Sequence, residues 1–188
     1  MVLGPESNVI PLGQFGTEFT PDEHMSYFRR ADGSSLVYWA GGTFAGPGET
    51  VAMTTSDFSS FTPLVLKGGN AVSVFSPSGP GTSSFDADYA GPGTVLRAAN
   101  GSDLLMIYHA ENHLFNGIDY PTAPFYAAIG LARSADGGAT WTRQGEIITA
   151  MTPKPAGTRL ASRPSPWSSP GHSPIGSATV GAGRVYRA

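Results

Sequence analysis

The sequence predicts an all-β protein built from four-stranded antiparallel sheets. Three observations carry that expectation. Gly (25) and Pro (16) are abundant while charged residues make up only 13% of the 188 positions, a balance that gives many turns and few amphipathic helices. Short β-rich runs recur between Gly and Pro clusters, and no segment shows a helical period. The runs also occur twice over, in the same order.

The first copy predicts strands at about 25–30, 36–40, 49–55 and 61–66. A turn, Ala31-Asp32-Gly33-Ser34, separates the first two. The second copy predicts strands at about 93–98, 104–110, 125–133 and 142–148, with Ala99-Asn100-Gly101-Ser102-Asp103 as the matching turn. Leu36-Val37-Tyr38-Trp39-Ala40 matches Met106-Ile107-Tyr108-His109-Ala110, which lies 70 residues further on. Thr55-Ser56-Asp57-Phe58-Ser59-Ser60-Phe61 matches the turn from Ser134 to Trp141, with Asp57 and Asp136 79 apart. The separation grows because residues 111–124 form a longer loop in the second copy. Gly91-Pro92-Gly93 opens the second copy with residues suited to close backbone approach, and the polar run 73–84 reads as the link. The chain thus divides into an N-terminal segment (1–24), two repeated units (25–149, about 25–68 and 86–149) and a tail (150–188).

Ser134-Ala135-Asp136-Gly137-Gly138-Ala139-Thr140-Trp141 has the pattern Ser-x-Asp-x-Gly-x-x-Trp. It resembles the Asp-box, or BNR repeat, of sialidases and other β-propellers. The spacing has a physical basis. Asp136-Gly137-Gly138 supplies a tight turn, because Gly accepts φ > 0 and Asp bonds the backbone ahead of it; Ser134 ties the turn to itself and Trp141 tucks an apolar ring beneath it. The motif falls between third and fourth strands, where propellers carry it. That favours propeller blades over the alternative, a β-sandwich of two similar hairpin pairs. Two units fall short of the four blades of the smallest propellers, so the expectation is an incomplete propeller.

The tail differs from the body. After Glu146 there is no Asp or Glu, while Lys154, Arg159, Arg163, Arg184 and Arg187 follow among many Pro and Ser. It reads either as a disordered basic linker or as an out-of-frame remnant of a third blade, since GC-rich codons for 160–171 read one frame over can give a strand-opening sequence.

A formal charge of -3 and pI near 5.7 argue against nucleic-acid or anionic-membrane partners. With no cysteine there is neither a disulfide framework nor thiolate chemistry. No run approaches the ~18 apolar residues of a membrane helix. The first residues lack a basic and apolar leader, so the location reads as cytoplasmic, or as secreted with a leader missing. Open blade edges predict self-association.

The strings around Leu36, Asp88, Leu104 and Ile129 together look like the first blades of five-bladed propeller glycosidases, of the broad kind that includes glycoside hydrolase family 43. This resemblance covers about residues 25–148. It implies a carbohydrate substrate, no cofactor, and carboxylates at the axial ends of the innermost strands. On that basis Asp88, Asp22 and Glu23 are the candidate catalytic groups and Asp86 a neighbouring substrate contact. Turn chemistry is the alternative for Asp86 and Asp88, and a solvated turn for Asp22 and Glu23. His109, Glu111 and His113 alternate onto one face of a strand and suit sugar hydroxyls. Two imidazoles and a carboxylate also suit zinc, but the spacing is not a zinc signature, and no metal is expected. Trp39, matched to His109, could stack on a sugar ring or pack in the core. Arg29-Arg30-Ala31 is not the opening of a sialidase arginine triad, so sialidase activity is not expected.

Overall fold

The computed structural model describes residues 13–16, 19–42, 49–79, 82–113 and 125–149. The tail, with both of its readings, lies outside them, as do residues 1–12. The described residues are all-β apart from a three-residue 3-10 turn at Gln14–Gly16. The first sheet is a meander of β1 (Phe19–Arg29), β2 (Ser35–Gly42), β3 (Glu49–Thr55) and β4 (Thr62–Pro63). A small hairpin of β5 (Leu66–Lys67) and β6 (Asn70–Ala71) follows. The second sheet is a meander of β7 (Tyr89–Arg97), β8 (Leu104–His113), β9 (Phe125–Ser134) and β10 (Thr142–Ile148). All pairings are antiparallel. The architecture is that of two consecutive blades of an incomplete propeller.

Seven of the eight expected strands are present at close to their expected lengths or longer; the strand expected at 61–66 shrinks to Thr62–Pro63, with Leu66 in the separate hairpin, and β8 runs on to His113, into the segment expected as a loop. Two strands also start earlier. β1 starts at Phe19 rather than Met25, crossing Pro21 with register shifts on either side of Asp22. β7 starts at Tyr89 rather than Gly93, with a shift between Pro92 and Val95. Both bulges fall at or near a proline, which cannot donate to the ladder.

The repeat differs from the sequence match by one residue. Ser35 pairs with Thr55, and Leu104 pairs with Ser134. Thr55 and Ser134 open the two equivalent turns, so Leu36 is equivalent to Leu105, Tyr38 to Ile107 and Trp39 to Tyr108. The letter match had paired Tyr38 with Tyr108. The turn between β7 and β8 absorbs the difference: Ala98 N–H donates to Asp103 O, against Arg30 N–H to Ser34 O in the first copy, one residue more. A slip of one residue exchanges the two faces of a strand. Tyr38 therefore points from the first sheet towards the second, and Tyr108 points back from the second.

The true register also explains the layers. Leu36, Tyr38 and Ala52 on the back of the first sheet share a core with Leu104, Met106, Tyr108 and Ala132 on the front of the second. Tyr38 meets Trp141 edge-on at 5.8 Å, and Thr50 Oγ1 donates to Ala90 O at 2.8 Å across the seam. A separate core lies on the front of the first sheet, where Val37, Trp39, Val51 and Met53 are covered by Phe15, Phe61 and Ala71.

The turns of the two sheets share a mechanism. Asp136 accepts from Ser134 Oγ at 2.7 Å, from the N–H of Ala139 and Thr140 at 3.1 and 3.0 Å, and from Thr140 Oγ1 at 2.6 Å. Trp141 is 9% exposed and donates to Gly138 O. Asp57 likewise accepts from the N–H of Ser59 and Ser60. Phe58 holds φ 60 where the second turn has Gly137 at φ 75, so the first turn keeps its shape against a side chain that disfavours it.

Candidate functional site

The strand alternation of β8 sets the site. Leu104, Met106, Tyr108, Ala110 and Asn112 are buried, while the intervening Leu105, Ile107, His109, Glu111 and His113 lie half-buried on the back of the second sheet. At the C-terminal end of that face the Glu111 carboxylate lies between two imidazoles. His113 Nε2 is 2.6 Å from Glu111 Oε2, and His109 Nε2 is 3.2 Å from Oε1. Burial alone would raise the Glu111 carboxyl, but the hydrogen bonds from His109 and His113 outweigh it and bring it down to about 2. The carboxylate is ionised at neutral pH.

Two rings extend the cluster. Tyr89 pairs across from Glu111 and meets His109 edge-on at 5.6 Å. Phe125 pairs across from His113, and its ring stacks on that imidazole at 5.2 Å with 19° between planes. The row thus reads phenyl, imidazole, carboxylate, imidazole, phenol. Asp88 is laced to the same strand end: its N–H donates to Glu111 O at 3.0 Å, and its Oδ2 accepts the N–H of His113 at 2.7 Å. Asp88, Glu111, His113 and His109 are therefore brought together.

The remaining candidates belong to other elements. The backbone of Asp22 sits opposite Ala40 within β1, and Glu23 follows it in the same strand rather than preceding it; the side chains of both are outside the described residues. Trp39 is 1% exposed in the front core of the first sheet, edge-on to Phe61 at 6.2 Å. It is equivalent to Tyr108, not to His109, and occupies the packed place. Asp86 has no exposed surface. It accepts from Ser78 and Ser84 Oγ and from Arg143 Nε at 2.5 Å each, and from Tyr108 OH at 3.0 Å. Burial pushes its carboxyl up, and the bonds from Ser78, Ser84 and Arg143 more than reverse this, leaving it below the usual range. Asp86 fastens the link between the sheets and faces away from the His109–His113 row.

Phe125, Tyr89 and Arg143 were not legible as functional or anchoring residues. Register alone would have found Phe125, because a ring opposite His113 follows once the β8–β9 hairpin is aligned. Arg97 caps Gly101 O at 2.8 Å and covers the Phe28 ring at 5.1 Å. Arg133 pairs with Asp103 on the neighbouring strand end. No group of three or more His, Cys, Asp or Glu among the described residues converges on a position for a metal ion. No helix among them is long and apolar enough to cross a membrane.

No protein-family profile matches the chain, and no curated protein does. Solved structures with a similar arrangement include a glycosyl hydrolase from Bacteroides ovatus, at 22% identity and TM-score 0.47 over 65% of this chain and 34% of that one. A second comes from a family of mannoside phosphorylases containing glycoside hydrolases that target β-1,2 mannosidic linkages in Candida mannan, at 19% identity and TM-score 0.46 over 69% and 36%. A third is the native arabinanase of Bacillus subtilis, at 14% identity and TM-score 0.42 over 74% and 42%. The chain spans about a third to two-fifths of the length of these structures.

Proposed function

We propose that the chain is part of a propeller-type glycoside hydrolase acting on a poly- or oligosaccharide, and that Asp88, Glu111, His113 and His109 form its carbohydrate site. One observation carries the reading: a carboxylate preceding the first strand of a blade is clamped beside a row of hydrogen-bonding groups and rings. Such a row suits a sugar, whose hydroxyls need donors and acceptors and whose C–H faces need rings. Asp22 and Glu23, on the first strand of the other sheet, are the proposed carboxylate partners of Asp88, because glycoside hydrolysis needs two carboxyl groups across the scissile bond.

The test is release of reducing sugar from aryl glycosides and plant or algal oligosaccharides. Asp88→Asn keeps the shape and removes the charge, and should lower the rate by about a thousandfold. Full activity of Asp88→Asn would remove Asp88 from the site.

A second reading is a non-catalytic carbohydrate-binding module of Asp-box type. One observation favours it. The carboxylate at the centre of the row, Glu111, is bonded by two imidazoles and held well below its ordinary value, which suits a binding contact and not a general acid. Glycan binding with no hydrolysis in any assay would support this reading over the first.

A further inference from the structure

The back of the second sheet is a face with a direction. Its middle is apolar: Leu105, Ile107, Ile129 and Leu131 lie there, flanked by the exposed Leu96 and Ile148, and no other described strand packs on it. Its ends differ in charge. Arg133 pairs with Leu105, and six residues further along β8 Ala127 pairs with Glu111. At ~3.4 Å per residue the two ends are about 20 Å apart. One end carries Arg133, whose side chain is 50% exposed. The other carries the Glu111 carboxylate, with Asp88 laced to the same strand end.

Both charged groups keep capacity for a second partner. Asp103 takes Nε and Nη2 of Arg133, and a guanidinium has five N–H donors. Each oxygen of Glu111 faces one imidazole, and a carboxylate has about four lone-pair sites.

Sheets packed face to face in the aligned manner keep their strands within about 30° of one another. That leaves two ways to lay this face on a second copy of itself, with strands parallel or antiparallel. The parallel way sets Arg133 beside Arg133, and the Glu111–Asp88 end beside its own copy. The antiparallel way sets the Arg133 end of each copy on the Glu111 end of the other, twice over, about a two-fold axis that crosses the strands. In that register the level of Ile107 and Leu131 faces the level of His109 and Ile129, so the apolar middle meets itself. On β10, Ile148 is level with Ile129 and Gly145 with Leu131. Ile148 of one copy therefore faces Gly145 of the other, where an added Cβ would meet nothing.

We infer that the back of the second sheet is a pairing face for a second copy of this chain, laid antiparallel so that Arg133 of each copy meets Glu111 of the other. The apolar middle supplies the affinity and the charged ends supply the direction. This goes beyond the carbohydrate reading and does not rest on it. Paired copies cover the Glu111 row, so that reading applies to the separated chain.

Sedimentation velocity of the full chain across a range of concentrations should show a monomer–dimer equilibrium and no larger species. Leu131→Glu puts a charge in the middle of the face and should weaken the dimer by about tenfold or more. Arg133→Gln should weaken it by about threefold and reduce its dependence on salt. Circular dichroism and the melting temperature identify a variant that fails to fold. Cross-linking then reads the arrangement without either variant. The chain has no cysteine, so Thr142→Cys, beside Arg133, and Ala127→Cys, beside Glu111, each introduce one thiol at an exposed position. A short bismaleimide should join the two variants when they are mixed and should join neither to itself. A wild type that stays monomeric, or that forms only larger aggregates, overturns the pairing. A folded Leu131→Glu that dimerises like wild type overturns the choice of face. Ala127→Cys joined to itself overturns the antiparallel arrangement.

Discussion

Replacing Asp86 with Ala is the perturbation to which the fold should be most sensitive. Asp86 is fully enclosed and takes hydrogen bonds from Ser78, Ser84, Tyr108 and Arg143. Removing it leaves the buried Tyr108 hydroxyl without its acceptor, at a cost of about 1–3 kcal/mol. It also breaks a buried ion pair, for which losing one partner costs about 3–5 kcal/mol. The Arg143 side chain is 34% exposed and can regain water, and Ser78 and Ser84 are only partly buried, so the lower end applies. The terms overlap and give about 3 kcal/mol in all. At about 2–4 °C per kcal/mol for a chain of this size, the melting temperature should fall by about 6–12 °C. Urea denaturation followed by circular dichroism would measure it. A double-mutant cycle with Arg143→Met should show a coupling of about 1 kcal/mol or more. Asp86→Ala within about 0.5 kcal/mol of wild type would refute the claim that this cluster fastens the link between the sheets. The pH dependence has a fixed sign. The folded Asp86 carboxyl titrates below its unfolded value, so its contribution is complete above about pH 4–5 and is lost as pH falls through the folded value.

Other outcomes follow from the same geometry. Gly137 and Gly138 both have positive φ, but a Cβ on Gly138 would lie 2.0 Å from Tyr38 Oη while one on Gly137 meets nothing; Gly138→Ala should cost about 3 kcal/mol or more against about 1 for Gly137→Ala, and Tyr38→Phe should recover part of the former in thermal melts. Asp57, Asp136 and Glu111 are each brought to about 2, below their ordinary values, so the melting temperature should hold above about pH 5 and decline as pH falls from about 4 to 2; a flat profile across that window contradicts the hydrogen bonds assigned to them. Leu105, Ile107, Ile129 and Leu131 lie on the back of the second sheet, where no other described strand packs, and Leu96 and Ile148 beside them are 39% and 62% exposed. Such a face should drive self-association, visible as a concentration-dependent sedimentation coefficient that Leu131→Glu reduces; a strictly monomeric wild type at high concentration goes against it.

Much of this was legible in the chain because strands alternate with period two and because the turn residues are chemically distinctive. The Asp136 turn could be read down to its acceptors, and His109, Glu111 and His113 could be placed on one face. Letter similarity failed at the repeat, where Tyr-x-Ala in both copies outweighed an extra residue in the turn before Leu104. The error moved Trp39 onto the face of His109, which left sugar stacking open beside core packing; the structure takes the core alternative. The Asp86–Arg143 pair joins residues 57 apart and has no local signature, which left Asp86 looking like a companion of Asp88. Phe125 follows a long loop and looks like an ordinary strand start until its hairpin partner is known.

The two separate cores bear on the order in which the chain acquires structure during synthesis. The front core draws only on residues between Phe15 and Ala71, so it is complete in sequence before any residue of the second sheet exists. The other core needs Leu36, Tyr38 and Ala52 together with Leu104 to Trp141. A nascent chain emerging from the ribosome can thus consolidate the first sheet, and its back then serves as a template on which the second condenses. Pulse-labelled or stalled chains ending near residue 80 should already protect Val37, Trp39 and Met53 amides, while Tyr38 and Leu36 gain full burial only once Trp141 has been made.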